Sequence, residues 1–332
     1  MKRILWAVPC LALIVPFALL SQQSAPRPKV PADEQETTIK VDVDLVNVLF
    51  TVRTKQGGLV GNLGKDDFTL LEDGKQQDIR YFTRENDLPL TIGLLVDVSR
   101  SQENLIEIER RAAYQFFEKV LRPKDLAFLI SFGSEAELLQ DYTSSPRLLE
   151  KGLSDLRVNS QVGGLHPGPV PTATSPKGTI LYDTVYLAAQ EQLKGQVGRK
   201  ALVLITDGVD QGSRYKIEEA IKQAQLADAI IYSICYLDPS AYGYGMFGGG
   251  GDGALKRLSE ETGGRMMKVD RKHSLDDIFK EIQDDMRSQY AIGYAPTNGN
   301  RDGSFRRIEI HTRDKEMRVH ARKCYYAVAR AD

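Results

Sequence analysis

The sequence predicts an α/β protein: a doubly wound, mostly parallel sheet, with an additional small β domain formed by strands from the two ends of the chain. Three observations predict it. Between residues 90 and 288, apolar runs of strand length alternate with stretches of helical periodicity, and that alternation builds parallel sheets through right-handed helical crossovers. The runs at 91–96 and 201–205 are apolar almost throughout, as strands covered on both faces must be. Outside that block, at 38–82 and 289–326, the pattern is rich in strand formers without intervening helices.

The elements follow in order. Residues 1–21 read as a secretory signal peptide: Lys2 and Arg3, an apolar run over 5–20, then small polar residues from Ser21. The apolar run is shorter than the roughly 20 residues a membrane span needs, so the chain is membrane-attached only if this leader stays uncleaved. The expected location is outside the cytoplasm, periplasmic or secreted. Residues 22–37, rich in Pro, Gln, Ser and Glu, read as a flexible linker. Residues 38–89 form an N-terminal β unit, with a strand ending near Val52, strands at 67–71 and 77–82, and a hairpin turn at Glu72-Asp73-Gly74-Lys75.

Residues 90–288 form the α/β domain. Strands are expected at 91–96, 125–132, 200–206, 230–236 and 265–269, with a further edge strand at 137–142. The helix after the first of these carries Leu105, Ile108, Ala112, Phe116 and Val120 at helical spacing. Further helices are expected at 146–156, 179–196, 216–229, 254–262 and 274–288. Ser274 caps the last, and Asp276 and Asp277 sit at its positive end. Segments 157–177 and 241–253 are Gly- and Pro-rich or Gly- and aromatic-rich loops. Residues 289–332 supply three strands, at 289–295, 304–312 and 317–326, expected to pack with the N-terminal β unit.

Composition sets bounds on function. The 332 residues are 42% hydrophobic and 27% charged, with a net charge of −1. No basic excess marks a nucleic-acid binder. Without the leader two cysteines remain, Cys235 and Cys324. Cys235 lies in an apolar run and reads as a buried small hydrophobe; a chain of this size folds without disulfides.

Three short polar segments stand where such a sheet gathers its loops. Asp97-Val98-Ser99-Arg100-Ser101 follows the run 91–96, Gly178-Thr179 opens the helical stretch 180–196, and Thr206-Asp207-Gly208 follows 201–205. Open α/β sheets bind ligands beyond the carboxyl ends of their strands, so the three can converge. Asp97, Ser99, Ser101, Thr179 and Asp207 offer carboxylate and hydroxyl oxygens alone. That donor set suits Mg²⁺, or Ca²⁺ or Mn²⁺, rather than zinc or copper. Two carboxylates balance a divalent charge and leave a coordination position for an acid from a partner. Taken alone, Asp97 reads equally well as a helix N-cap and Ser99 and Ser101 as a capping pair. The joint presence of Thr179 and Asp207 favours the metal reading.

Asp-x-Ser-x-Ser, a distant Gly-Thr and Thr-Asp-Gly, in that order, resemble the metal-ion-dependent adhesion site of von Willebrand factor A domains, over roughly residues 90–288. The flanks add Asp67-Phe68, Glu72-Asp73-Gly74-Lys75, Tyr290, Gly293-Tyr294 and Lys323-x-Tyr325-Tyr326. With them the chain resembles the bacterial VWFA-related family common in Acidobacteria. The resemblance implies a Rossmann-like von Willebrand A fold. It implies that Ser99, Ser101 and Thr179 bind the metal through hydroxyls, that Asp97 and Asp207 act mostly through bridging waters and hydrogen bonds, and that a partner's carboxylate completes the site. One departure stands out: the position between the serines, often Gly, is Arg100, which either weakens metal binding or helps hold an acidic partner.

Other candidates carry less. His166, His273, His311 and His320 lack metal-ligand spacing, and the glycine run 248–251 has neither a phosphate-binding Lys-Ser/Thr nor a dinucleotide pattern. Tyr242, Tyr244 and Phe247 are candidates for a partner-binding loop tip. The sequence therefore points to an exported binding module, not an enzyme, that grips an acidic group of a protein partner through a Mg²⁺-type site. A metal-assisted hydrolase or phosphoryl-transfer enzyme is the alternative, and it lacks an evident base or nucleophile. A scaffold with a vestigial site is the other, supported by Arg100.

Overall fold

The computed structural model describes residues 45–85, 88–158, 178–237 and 251–328. The expected leader, the linker, most of loop 157–177, and loop 241–253 up to residue 250, with Tyr242, Tyr244 and Phe247, lie outside the described residues. Those described belong to one compact unit, Val43–Asp332.

Strands β1 (Val46–Thr54), β2 (Phe68–Glu72), β3 (Lys75–Gln77) and β4 (Ile79–Glu85) come first. The α/β block follows as β5 (Leu90–Asp97), α1 (Ile106–Val120), β6 (Leu126–Phe132), β7 (Ala136–Thr143), α2 (Pro146–Ser154), α3 (Leu181–Leu187), β8 (Arg199–Thr206), α4 (Ile217–Leu226), β9 (Ala229–Cys235), α5 (Asp252–Thr262), β10 (Met266–Lys268) and α6 (Leu275–Arg287). The chain closes with β11 (Gln289–Tyr294), β12 (Phe305–Thr312), β13 (Met317–Ala321) and β14 (Cys324–Tyr326).

The central sheet has the order β10-β9-β8-β5-β6-β7. All neighbours are parallel except β7, which runs antiparallel at the edge. Every residue of β5, β8 and β9 is buried, because helices cover both faces. Phe116 and Phe117 of α1, Leu149 and Leu153 of α2, and Ile278 and Phe279 of α6 pack on one face. Leu181 and Val185 of α3, Ile221 and Ala224 of α4, and Leu255 and Leu258 of α5 pack on the other. The expected α/β class with extra β structure is the observed one.

Two antiparallel sheets, β13-β1-β11-β4 and β14-β12-β2-β3, enclose a third core that includes Phe50, Phe68, Leu70, Tyr290, Ile308 and Ile310. The segment expected as one strand at 77–82 is two: β3 pairs with β2, and β4 pairs with β11 in the other sheet. Gln77 and Ile79 are both buried around exposed Asp78, so the alternation continues through the corner and does not show the change of sheet. The run 317–326 divides in the same way, into β13 on β1 and β14 on β12. The helix expected over 179–196 begins as α3 and continues as a π-helical stretch over Ala188–Leu193. Cys235 and Cys324 are both free and buried.

One face assignment is corrected. The stripe read from Leu105, Ile108, Ala112, Phe116 and Val120 is offset by one residue near its start. Ile108 is 40% exposed, and Glu109 is fully buried in its place. Ala113, Phe116, Phe117 and Val120 fix the rotation of α1, and that rotation carries Glu109 inward despite its charge.

Candidate metal centre

β5 and β8 are direct neighbours in register, Val96 beside Ile205. Asp97 and the Thr206-Asp207 pair therefore leave the sheet side by side. Asp97 is fully buried. Its Oδ1 accepts the Ser99 N–H at 2.8 Å, and its Oδ2 accepts the Thr206 hydroxyl at 2.6 Å. The first contact curls residues 97–101 into a tight loop; the second ties the two strand ends together.

The serine hydroxyls extend this framework. Ser99 Oγ and Ser101 Oγ lie 3.0 Å apart, and Ser101 donates to Asp207 Oδ2 at 2.7 Å. Asp207 Oδ1 accepts the Val209 N–H at 3.0 Å. Gly208 has φ +80°, and a Cβ there would lie 2.7 Å from Gly251 O. A side chain at 208 would thus be both strained and blocked, which is why glycine follows Asp207 at this bend.

Thr179 is brought to the same edge by its backbone. Its carbonyl accepts N–H bonds from Gln211 at 3.0 Å and Gly212 at 3.1 Å, and the next N–H, Ile180, donates to Gly133 O at 2.9 Å. A Cβ on Gly178 would sit 2.4 Å from Gln211 Cβ, so only glycine lets the two loops lie this close. Asp183 Oδ1 adds bonds from the Arg214 and Tyr215 N–H groups, at 2.8 and 2.9 Å. The structure therefore links Asp97, Ser99, Ser101 and Asp207 by hydrogen bonds, and ties Thr179 through main chain to Gln211 and Gly212 of the loop after Asp207. Arg100 is exposed at the loop between the serines.

Burial dominates the electrostatics of the acids here. Burial pushes Asp97 up to about 6; the nearby Asp207 charge adds to the rise, while bonds from Ser99 and Thr206 oppose it. Behind it stands Glu109. Burial, with a smaller contribution from Asp97, raises its carboxyl well above the usual range, and neither of its oxygens has a hydrogen-bond partner. Gln102, also buried, donates to Tyr236 O at 3.3 Å and leaves its own Oε1 unpartnered. Buried oxygens without donors favour a cation nearby, so the donor set and its surroundings fit a hard divalent ion. Sequence reasoning missed Glu109. The signal was present, because 106, 109, 113, 117 and 120 form one helical stripe in which Glu109 is the single charged residue.

Other chemistry is less well served. Burial lifts the Cys235 thiol to about 12, helped by its contact with Asp252, which leaves it un-ionised and inert at neutral pH. His273 Nε2 lies 2.9 Å from Glu281 Oε1, within ion-pair range, without a hydrogen bond between them. Among the described residues no three His, Cys, Asp or Glu side chains gather in metal-binding fashion; the donors brought together here are hydroxyls beside two acids.

No family model matches the chain, and no curated protein matches it. Solved structures do resemble it. A conserved hypothetical protein, BatB, from Bacteroides thetaiotaomicron is 17% identical over 60% of this chain and 100% of its own, with a TM-score of 0.44. A von Willebrand factor type A structure from Catenulispora acidiphila is 10% identical over 86% of this chain and 73% of its own, with a TM-score of 0.45. Proximal thread matrix protein 1 from the mussel byssus, described with a zinc-occupied MIDAS motif, is 14% identical over 63% of this chain and 49% of its own, with a TM-score of 0.46.

Proposed function

We propose that this chain is an exported binding module of the von Willebrand A type, whose metal centre grips an acidic group on a protein partner. Ser99, Ser101 and Thr179 would hold a Mg²⁺-class ion through hydroxyls, with Asp97 and Asp207 supplying the balancing charge and orienting those hydroxyls. The ion would provide a positive point that accepts a partner's carboxylate. The observation that carries the reading is the connected set Asp97–Ser99–Ser101–Asp207: oxygen donors from two neighbouring strand ends, prepositioned by bonds of 2.7 to 3.0 Å.

The chain's own residues do the remaining work. Thr206 fixes the Asp97 carboxylate, the loop 207–215 is strapped to the start of α3, and Arg100 adds a positive charge at the rim. An acid approaching this edge meets one exposed guanidinium beside the serines, which speeds and orients encounter more than it tightens binding. The enzymatic reading needs a base or nucleophile beside the ion.

Thermal unfolding of the full chain with Mg²⁺ and with EDTA tests the proposal. A ligand at a hundred times its Kd stabilises by roughly 2.7 kcal/mol, several degrees for a chain of this size. Asp97→Ala should abolish that shift while the wild type retains it. Identical wild-type melting curves in Mg²⁺, Ca²⁺, Mn²⁺ and EDTA would overturn the metal reading. Capture of a partner from an envelope fraction, lost on chelation, tests the adhesive role and the location together.

A further inference from the structure

Each of the two small sheets has a strand edge without a further strand partner among the described residues. Among the described residues β13 pairs with β1 alone. β12 has β2 along one side over residues 308–312, but on its other side β14 accompanies it only from Phe305 to Arg307. Past Ile308, whose N–H reaches Lys323 O at 2.8 Å, that second side of β12 has no partner strand among the described residues. Residues of both strands line a groove of about 680 Å³.

The groove is basic. Arg307, Lys315, Arg318, Arg322 and Lys323 line it, against Glu260 and Glu309. Both acids are already engaged, Glu309 by Arg307 at 3.2 Å and Glu260 by Lys323 at 3.1 Å. Arg322 has Asp228 at 2.6 Å. Lys315 and Arg318 are exposed and have no acidic partner among the described residues. Arg318 of β13 is the direct cross-strand partner of Arg53 of β1, a like-charged pairing that costs stability, and Asp285 serves Arg53. Beside these cations the same groove is lined by half-buried Met317 and Val319, while Ile308 and Ile310 at its floor belong to the buried core.

We propose that this groove docks an extended acidic peptide segment of a partner protein, which adds as a strand to the open edge of β13. A strand edge offers unpaired N–H and C=O groups to any extended chain. Side chains of an added strand alternate, so one set can meet the apolar residues while the other reaches Lys315 and Arg318. Cations on an edge also serve to repel unwanted strands. A guard of that kind repels basic and tolerates neutral edges, yet it attracts an acidic one. The proposal stands apart from the metal centre.

The test uses the full chain in EDTA, so that the metal centre cannot capture carboxylates, with a labelled decapeptide of alternating Glu and Val. Saturable binding is expected, weakened on the order of tenfold or more by Lys315→Glu with Arg318→Glu, and strongly reduced by salt. Hydrogen exchange should slow at 317–321 when peptide is present. Both positions are exposed, so the double variant is expected to fold, and its melting temperature checks this. A Lys-Val decapeptide should not bind. No saturable binding, binding unchanged in the double variant, or binding without protection at 317–321 would each overturn the proposal. So would equal affinity for heparin without that protection, which would make the groove a polyanion patch. Protection at 317–321 from self-association without peptide would assign the edge to a second copy instead.

Discussion

Thr206 at the end of β8 donates its hydroxyl to Asp97 Oδ2 at the end of β5, at 2.6 Å, and accepts the Gly208 N–H at 3.0 Å. One side chain thus holds the buried carboxylate and shapes the loop that carries Asp207. Thr206→Val keeps the shape and removes both bonds. Leaving buried polar groups unmade costs about 1–3 kcal/mol, so urea unfolding in EDTA should show a loss of that size. The Mg²⁺-induced rise in melting temperature should shrink as well. A variant as stable as the wild type, with an unchanged metal response, would show that Asp97 needs no anchor.

Asp97 also sets a pH dependence in the metal-free protein. Its carboxyl titrates near 3.8 when unburied and is pushed up to about 6 in the fold. Between those values the native state keeps a proton that the unfolded chain has released, so stability falls as pH rises through the window and stays lower above it. The gap between the two titrations corresponds to a loss of roughly 3 kcal/mol. Asp97→Asn cannot titrate. Relative to that variant, the wild type in EDTA should lose stability as pH rises from 3.8 to about 6 and little beyond. A difference that stays constant across that range would contradict the buried-acid assignment.

Glu109 makes a prediction of opposite sign to most core changes. It is fully buried, both oxygens lack partners, and Asp97 is the charge that acts on it. Burying a polar group without compensating bonds costs about 1–3 kcal/mol on mutational scales. Glu109→Met, close in volume and apolar, should therefore stabilise the metal-free protein by about that amount. The gain should narrow in Mg²⁺, because a cation would offset the carboxylate's charge. Destabilisation in EDTA would mean that Glu109 makes bonds worth more than its desolvation.

These residues also show where the sequence is legible. The buried parallel strands are plain, because 92–96 of β5 and 201–205 of β8 are apolar runs covered by helices on both faces. Their adjacency follows from topology, and with it the meeting of Ser101 and Asp207. Glu109 was hidden because an apolar stripe is read from hydrophobicity, and Ile108, one residue away, supplied the expected signal. The changes of sheet at Asp78 and at Arg322-Lys323 were hidden for another reason. Alternation tells which face a residue takes and not which strand lies beside it, so a strand that turns a corner looks continuous.

Asp285 joins parts of the chain that the sequence keeps far apart. It lies on α6, fully buried, and its Oδ1 takes Arg53 of β1 at 2.7 and 3.0 Å, while its Oδ2 takes Arg265, just before β10, at 2.9 Å. Arg265 continues to Glu281 at 2.9 Å. The cluster fastens a strand of the small sheets to a helix of the α/β block. Replacing a buried pair by apolar residues is often neutral, but removing one partner leaves a buried charge and costs about 3–5 kcal/mol. Asp285→Ala should lose that much in urea unfolding, and Arg53→Met combined with Asp285→Leu should recover most of it. If Asp285→Ala costs under about 1 kcal/mol, the range of exposed pairs, the cluster is solvated and the junction is held by apolar packing alone.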